Sequence, residues 1–211
     1  MNTYAAIFAG TFIISFSGAA MPGPMLAVVM RESARRGVVA GPLVVLGHSL
    51  LETVTVAAIL LGLGRFMEKP LFFGLTGLIG GAILLLMGVG MIKDLPKLTL
   101  AIADDGSKGV HPVAGGVLTS LSNPFFPLWW ATAGLALMAR AGEAGLPGQA
   151  VFFTAHTLSD LTWYTGVSLM IHFGRNYLKD RRYRVMAGLL AAMLLCFGVY
   201  FMKEGFASLT S

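Results

Sequence analysis

The chain has 211 residues, 56% of them hydrophobic and 12% charged, whereas an ordinary soluble domain is about a quarter charged. With a mean hydropathy of +0.77, this composition excludes an ordinary soluble domain and is that of a membrane protein. The net charge of +5 is read as a signal of membrane topology in preference to a nucleic-acid surface, and the single cysteine, Cys196, excludes an intrachain disulfide and a two-thiol electron relay.

Six apolar windows of twenty or more residues follow one another, at about 4–30, 38–64, 70–92, 113–139, 148–173 and 184–206. A hydrocarbon core about 30 Å thick requires windows of this length, which is twice that of a barrel strand, so each is expected to be a transmembrane helix. The expected fold is therefore an all-α polytopic membrane protein of six helices in a single membrane domain, 1–211. No Lys or Arg precedes the first run, "MNTYAAIF". That lacks the basic start of a secretion signal, and the segment is expected to stay as a helix.

Within that first window stands "PGP", Pro22, Gly23 and Pro24. Proline removes a backbone donor, clashes with the carbonyl one turn back and restricts the residue before it, so helix 1 is expected to break there. Helix 2 carries "GHSLLE", with His48 and Glu52 four residues apart, and Ser49 and Thr53 beside them. Helix 3 carries Gly74, Gly77, Gly80, Gly81, Gly88 and Gly90, read as a small-residue packing face. None of the Gly-rich runs has the strand, helix and Lys-Ser/Thr context of a phosphate loop.

The longest polar segment, 93–112, divides the chain nearly in half. Helix 4 then carries "NPFFP", and is expected to break at Pro124 and Pro127, with Asn123 either capping the freed backbone or hydrogen-bonding a substrate. Helix 5 carries "AHTLSD", with His156 and Asp160 again four apart. Trp129, Trp130, Trp163 and Tyr164 follow the two motif regions and are either interfacial belt residues or cavity walls. Trp163, three residues after Asp160, is the better placed to line a cavity. His111 reads as a loop residue and His172 as a helix-terminal one.

Eleven of the fifteen Lys and Arg residues follow helices 1, 3 and 5: Arg31, Arg35, Arg36, Lys93, Lys97, Lys108, Arg175, Lys179, Arg181, Arg182 and Arg184. Arg65, Lys69, Arg140 and Lys203 lie on the other side. This asymmetry places the first set in the cytoplasm and both termini outside it. The halves also correspond: Pro22 to Pro124 spans 102 residues and His48 to His156 spans 108. A three-helix repeat explains both offsets, with repeat 1 at about 1–92, a cytoplasmic loop at about 93–112 and repeat 2 at about 113–211. An odd number of crossings per repeat makes it an inverted one, the architecture of many secondary transporters.

Residues four apart share a helix face, so each histidine stands beside its carboxylate. Both pairs lie roughly 12 to 20 Å deep, where charge costs a few kcal/mol and short side chains cannot snorkel out. They must face inward. In one reading they carry protons, because buried acid and imidazole groups titrate near neutral pH. In a second, His48, Glu52, His156 and Asp160 converge on a divalent transition metal, a donor set that suits zinc, manganese, iron, nickel or cobalt. In a third, each pair is a structural clasp between helices. An enzyme is disfavoured, since neither His-Glu-x-x-His nor Gly-x-Ser-x-Gly occurs.

A chain of this length with six apolar windows, "PGPM" at 22–25, a polar gap after helix 3 and "NPFFP" at 123–127 resembles the lysine-exporter type (LysE) translocators along its full length. The family's motifs usually read Pro-Gly-Pro-Asn and Asn-Pro-Lys; here Met25 and Phe125 take the last positions. The resemblance implies a bacterial inner-membrane exporter of amino acids or similar small solutes, coupled to the proton or membrane gradient. It also implies inverted three-helix repeats, a homo-oligomer, a small-molecule substrate, membrane lipid as surroundings and no cofactor. Pro22, Gly23, Pro24, Asn123 and Pro124 would wall the central site with Trp163, while His48, Glu52, His156 and Asp160 supply coupling or ligand groups. Metal exporters in the wider superfamily keep a divalent transition metal open as alternative cargo, and a structural subunit without cargo is the reading from another class.

Overall fold

A computed structural model describes residues 3–21, 23–67, 69–97, 110–174 and 180–210. Among these, every regular element is helical. The chain runs through α1 (Thr3–Ala19), α2 (Pro24–Arg36), α3 (Ala40–Ala58), α4 (Gly64–Met67), α5 (Pro70–Asp94), α6 (Pro112–Ser122), α7 (Phe125–Trp129), α8 (Leu135–Gly142), α9 (Gly145–Gly174) and α10 (Asp180–Thr210).

The first apolar window is divided between α1 and α2, with Gly23 extended at φ −144° and ψ −178° between them. Pro24 then takes the first helical position of α2, where its missing donor costs nothing. Pro22 itself lies outside the described residues. The fourth window is divided in the same manner: α6 stops at Ser122, Asn123 is extended at φ −91° and ψ 113°, and α7 starts after Pro124. The break also expected at Pro127 does not occur, because Pro127 stands in the first turn of α7, where its missing donor has no helical partner to lose. Other irregularities involve no proline. At Gly37, φ 72° turns the corner from α2 into α3, and at Gly62, φ 111° kinks a π-helical turn (Ile59–Leu63) that joins α3 to α4. A second π-turn, Trp130–Gly134, joins α7 to α8.

Among the described residues three helical runs are long and apolar enough to cross a membrane, Pro24–Met67, Pro70–Asp94 and Asp180–Thr210. The molecule is thus a multi-pass membrane protein. Helix α9 is as long as a span, with 30 residues, but its apolar character is diluted by a run of Thr, Ser, His and Asp side chains. Leu61, Leu86 and Phe173 are among the large apolar side chains left exposed, the surface expected of a protein solvated by lipid.

Helix α5 packs along α10, and its glycines make the close approach possible. A Cβ at Gly77 would meet the backbone of Phe201 and Gly205 at 2.8 Å, and one at Gly81 would meet Gly198 O at 2.8 Å. Gly80 instead admits the ring of Pro124, docking α5 on the break between α6 and α7. On the other side of the molecule α1 packs on α9, and α3 packs on both α6 and α9. Gly116 of α6 lies against the backbone of Val44, and Gly47 of α3 against that of Val113.

Besides a small apolar cluster of Leu84, Leu194 and Phe201 on α5 and α10, two larger ones form. One gathers Met25, Val29, Val44, Tyr164, Val167, Ile171 and Leu190 from α2, α3, α9 and α10. The other gathers Ile7, Met67, Trp130, Met138 and Phe152, with Val56 and Ile59 packed on it.

Candidate functional site

Between those two clusters α3 brings His48 and Glu52 toward His156 and Asp160 of α9. Glu52, His156 and Asp160 are all at least 95% buried. The two pairs meet. His156 Nε2 lies 2.5 Å and His48 Nε2 lies 3.2 Å from the same oxygen, Glu52 Oε1. Asp160 Oδ2 stands 3.6 Å from His48 Nε2 and 3.9 Å from His156 Nε2. The i,i+4 spacing fixes each histidine beside its own carboxylate, and the crossing of α3 with α9 makes the contact between pairs.

The outer nitrogens of both imidazoles are also held. His48 Nδ1 lies 2.6 Å from Ser120 Oγ, and His156 Nδ1 lies 2.7 Å from Ser15 Oγ. Ser120 is on α6 and Ser15 on α1, so each histidine is tied to a helix that ends at a break. The Ser120 hydroxyl donates to Gly116 O at 2.7 Å. Its one proton is thereby used, and toward His48 it accepts, which puts a proton on His48 Nδ1.

Aromatic rings cover His156. Trp129 stacks on it at 4.6 Å between centroids and 26°, Trp130 meets it edge-on at 5.4 Å, and Phe152 lies parallel at 6.1 Å. Phe126 meets His48 edge-on at 5.6 Å. Room for Trp129 comes from Gly18, where a Cβ would stand 3.0 Å from the indole nitrogen. Thus Trp129 and Trp130 stand against the quartet, whereas Trp163 packs edge-on against Phe16 of α1 at 5.7 Å. Asn123 caps its own break: its Oδ1 accepts from Phe125 N at 3.1 Å. Its Nδ2 faces Gly23, 3.9 Å from where a Cβ would stand, so the two breaks adjoin. His111 accepts from Val113 N at the start of α6, and His172 lies in the last turn of α9.

Sequence reasoning isolated the four titratable residues but missed Ser15, Ser120, Phe126 and Phe152. A serine in a membrane helix is common and carries no signal of its partner. In the structure Thr11 and Ser15, four apart on α1 and both 1% exposed, mark the face turned inward.

Chemically, the arrangement offers a buried proton store: two imidazoles share one carboxylate oxygen, with Glu52 Oε2 and Asp160 Oδ2 left without hydrogen-bond partners. It also offers donors to a cation. His48, Glu52 and Asp160 place one ligand atom each within 4.8 Å of one another. His156 fits such a shell less well, because ligand atoms around a tetrahedral ion with bonds of about 2.0–2.1 Å stand roughly 3.3 Å apart, wider than its contact with Glu52.

The family model for LysE type translocators matches residues 16–205 of the chain. Among curated proteins, a putative amino acid efflux protein, YcgF, of Bacillus subtilis (strain 168) is 24% identical over 205 residues, covering 96% of this chain and 98% of the relative. A chemotactic transduction protein, ChpE, of Pseudomonas aeruginosa (PAO1) is 31% identical over 162 residues, covering 75% of this chain and 78% of its own. No solved structure matches the chain.

Proposed function

The chain belongs to the LysE type translocator family, a family of transporters and not of enzymes, and we propose that it exports amino acids or similar small solutes from the cytoplasm in exchange for protons. The observation that carries this reading is the sharing of the buried Glu52 Oε1 by His156, itself buried, and the half-buried His48. A charged group at this depth is retained at a cost of a few kcal/mol, and a proton relay is a function that uses it. The name of the full-length relative YcgF supports the cargo class.

The same reading takes the membrane domain as six crossings in two inverted repeats, in the bacterial inner membrane as a homo-oligomer, with both termini outside. Support for the repeat comes from paired features: α1 and α2 part at Gly23 as α6 and α7 part at Asn123, and His48 reaches Ser120 on α6 as His156 reaches Ser15 on α1. In this scheme Gly23, Pro24, Asn123 and Pro124 form the wall where cargo meets unwound backbone, and the quartet takes up the proton.

A second reading, export of a divalent transition metal, is favoured by the convergence of His48, Glu52 and Asp160. The two are separated by efflux from reconstituted vesicles, with lysine, threonine and homoserine tested against zinc, manganese and cadmium, with and without a pH gradient. Amino-acid efflux driven by a gradient is the expected result. Metal efflux with no amino-acid efflux would overturn the proposal in favour of the second reading, and no efflux of either would leave the structural role.

A further inference from the structure

Beyond the quartet, α9 continues as a row of polar residues four apart: His156, Asp160, Tyr164, Ser168 and His172. Tyr164 and Ser168 are 5% and 0% exposed. The corresponding course past Glu52 meets Val56 on α3 and then Leu60 in the π-turn. The polar row leads only toward the end of α9 that joins the basic 175–184 segment.

About 12 Å along α9 from Asp160, at 1.5 Å per residue, the row is crossed by two other helices. Ser168 Oγ lies 2.7 Å from Ser33 Oγ of α2 and accepts from Gly41 N of α3 at 2.8 Å. Gly41 is pressed so closely on Tyr164 O and Ser168 that no Cβ fits. One turn further, Gly37 at φ 72° leaves room for the His172 ring, 2.8 Å from where a Cβ would stand. Glu32, next to Ser33 on α2 and 1% exposed, is paired with Arg36 at 3.0 Å and Arg31 at 3.4 Å. An all-apolar seal would serve a permanently closed end better. Here a single hydroxyl joins three helices through bonds that water can replace at little cost, since the net worth of such a bond is about 1 kcal/mol.

The geometry points to the Ser33–Ser168–Gly41 junction as the cytoplasmic gate of the transport route, with Tyr164 and Ser168 lining the passage from the cytoplasm to the quartet. This rests on the exporter reading for its purpose and on the basic-residue asymmetry for its direction. The test uses full-length protein with Cys196→Ser and Ser120→Cys, a reporter beside His48, in inside-out and right-side-out vesicles exposed to a membrane-impermeant cationic methanethiosulfonate. Adding Ser168→Ala is expected to raise the labelling rate several-fold from the cytoplasmic face and to leave it unchanged from the outer face. An unchanged cytoplasmic rate, or an equal rise from both faces, overturns the gate. A second variant, Ser33→Cys with Ser168→Cys in the Cys196→Ser background, is expected to cross-link on oxidation and to lose amino-acid efflux at least tenfold until reduced. Failure to cross-link, or efflux undiminished by the cross-link, counts against it equally. Labelling needs no cargo, so a gate that labels as expected in a protein with no amino-acid efflux refutes the cargo and not the gate.

Discussion

The close approach of α3 to α6 is what lets Ser120 reach His48, and it depends on Gly116. A Cβ there would fall inside the contact distance of Val44 O and 3.0 Å from His48 N. A C···O contact needs about 3.3 Å, so Gly116→Ala must push the two backbones apart by roughly 1 Å. Overpacking against backbone, which cannot rotate away, sits near the upper end of the usual cost, about 3 kcal/mol. Alanine's better helix propensity returns about 1 kcal/mol, leaving a net loss of about 2 kcal/mol. At 2–4 °C per kcal/mol for a chain of this size, the Tm falls by about 4–8 °C. The same displacement stretches the 2.6 Å contact of Ser120 with His48 beyond hydrogen-bonding range, so efflux should fall as well. The assay is thermal unfolding in detergent, with Gly166→Ala as the reference, because a Cβ at Gly166 meets nothing within 4 Å. The reference should melt at or slightly above the parent. Equal melting temperatures for the two variants would refute the packing argument.

Three further outcomes follow from the site. Gly37→Ala is expected to cost about 1–3 kcal/mol, the penalty for a side chain at positive φ with extended ψ, a region essentially confined to glycine, plus displacement of His172; unfolding measured against Gly90→Ala, another open position, checks it. Glu52→Gln removes the negative charge that both histidines face, so efflux that rises when the outside is made acidic in the parent should lose its dependence on the gradient while the protein still folds. Ser120→Ala removes the acceptor of the His48 Nδ1 proton, and in labelled protein the 15N resonance of His48 Nδ1 should shift while those of His156 stay unchanged.

How much of this was legible in the sequence differs by the kind of signal. Breaks at Gly23 and Asn123 could be read because proline acts locally, through its own ring and missing donor. The His48–Glu52 and His156–Asp160 pairs could be read because spacing alone places them on one face. The kink at Gly62 could not, since "GLG" in an apolar run reads equally as packing. Trp129 was ambiguous for a different reason: an indole suits both the interfacial belt and a buried wall, and the choice is made by Gly18, more than a hundred residues away, which leaves the space the ring fills. Ser15 and Ser120 depended likewise on how α1 docks on α9 and α6 on α3.

The two sides of the quartet are built differently, and for an exporter the difference has a kinetic meaning. Toward the basic end of α9 the way is polar, and its closure is a hydroxyl junction that opens by exchanging protein hydrogen bonds for water. In the opposite direction Phe152, at 0% exposed, and Trp130, at 1%, close over His156 together with Val56 and Ile59. Opening that side exposes aromatic surface, at about 25 cal/mol per Å² for rings of roughly 150–250 Å² each, which amounts to several kcal/mol per ring fully exposed. Cargo would therefore enter from the cytoplasm over a low barrier and leave over a high one. In the proposed exchange, the quartet would supply the energy for the second step, by a change in its charge that weakens the hold of Glu52 on His156 and frees the rings stacked above it.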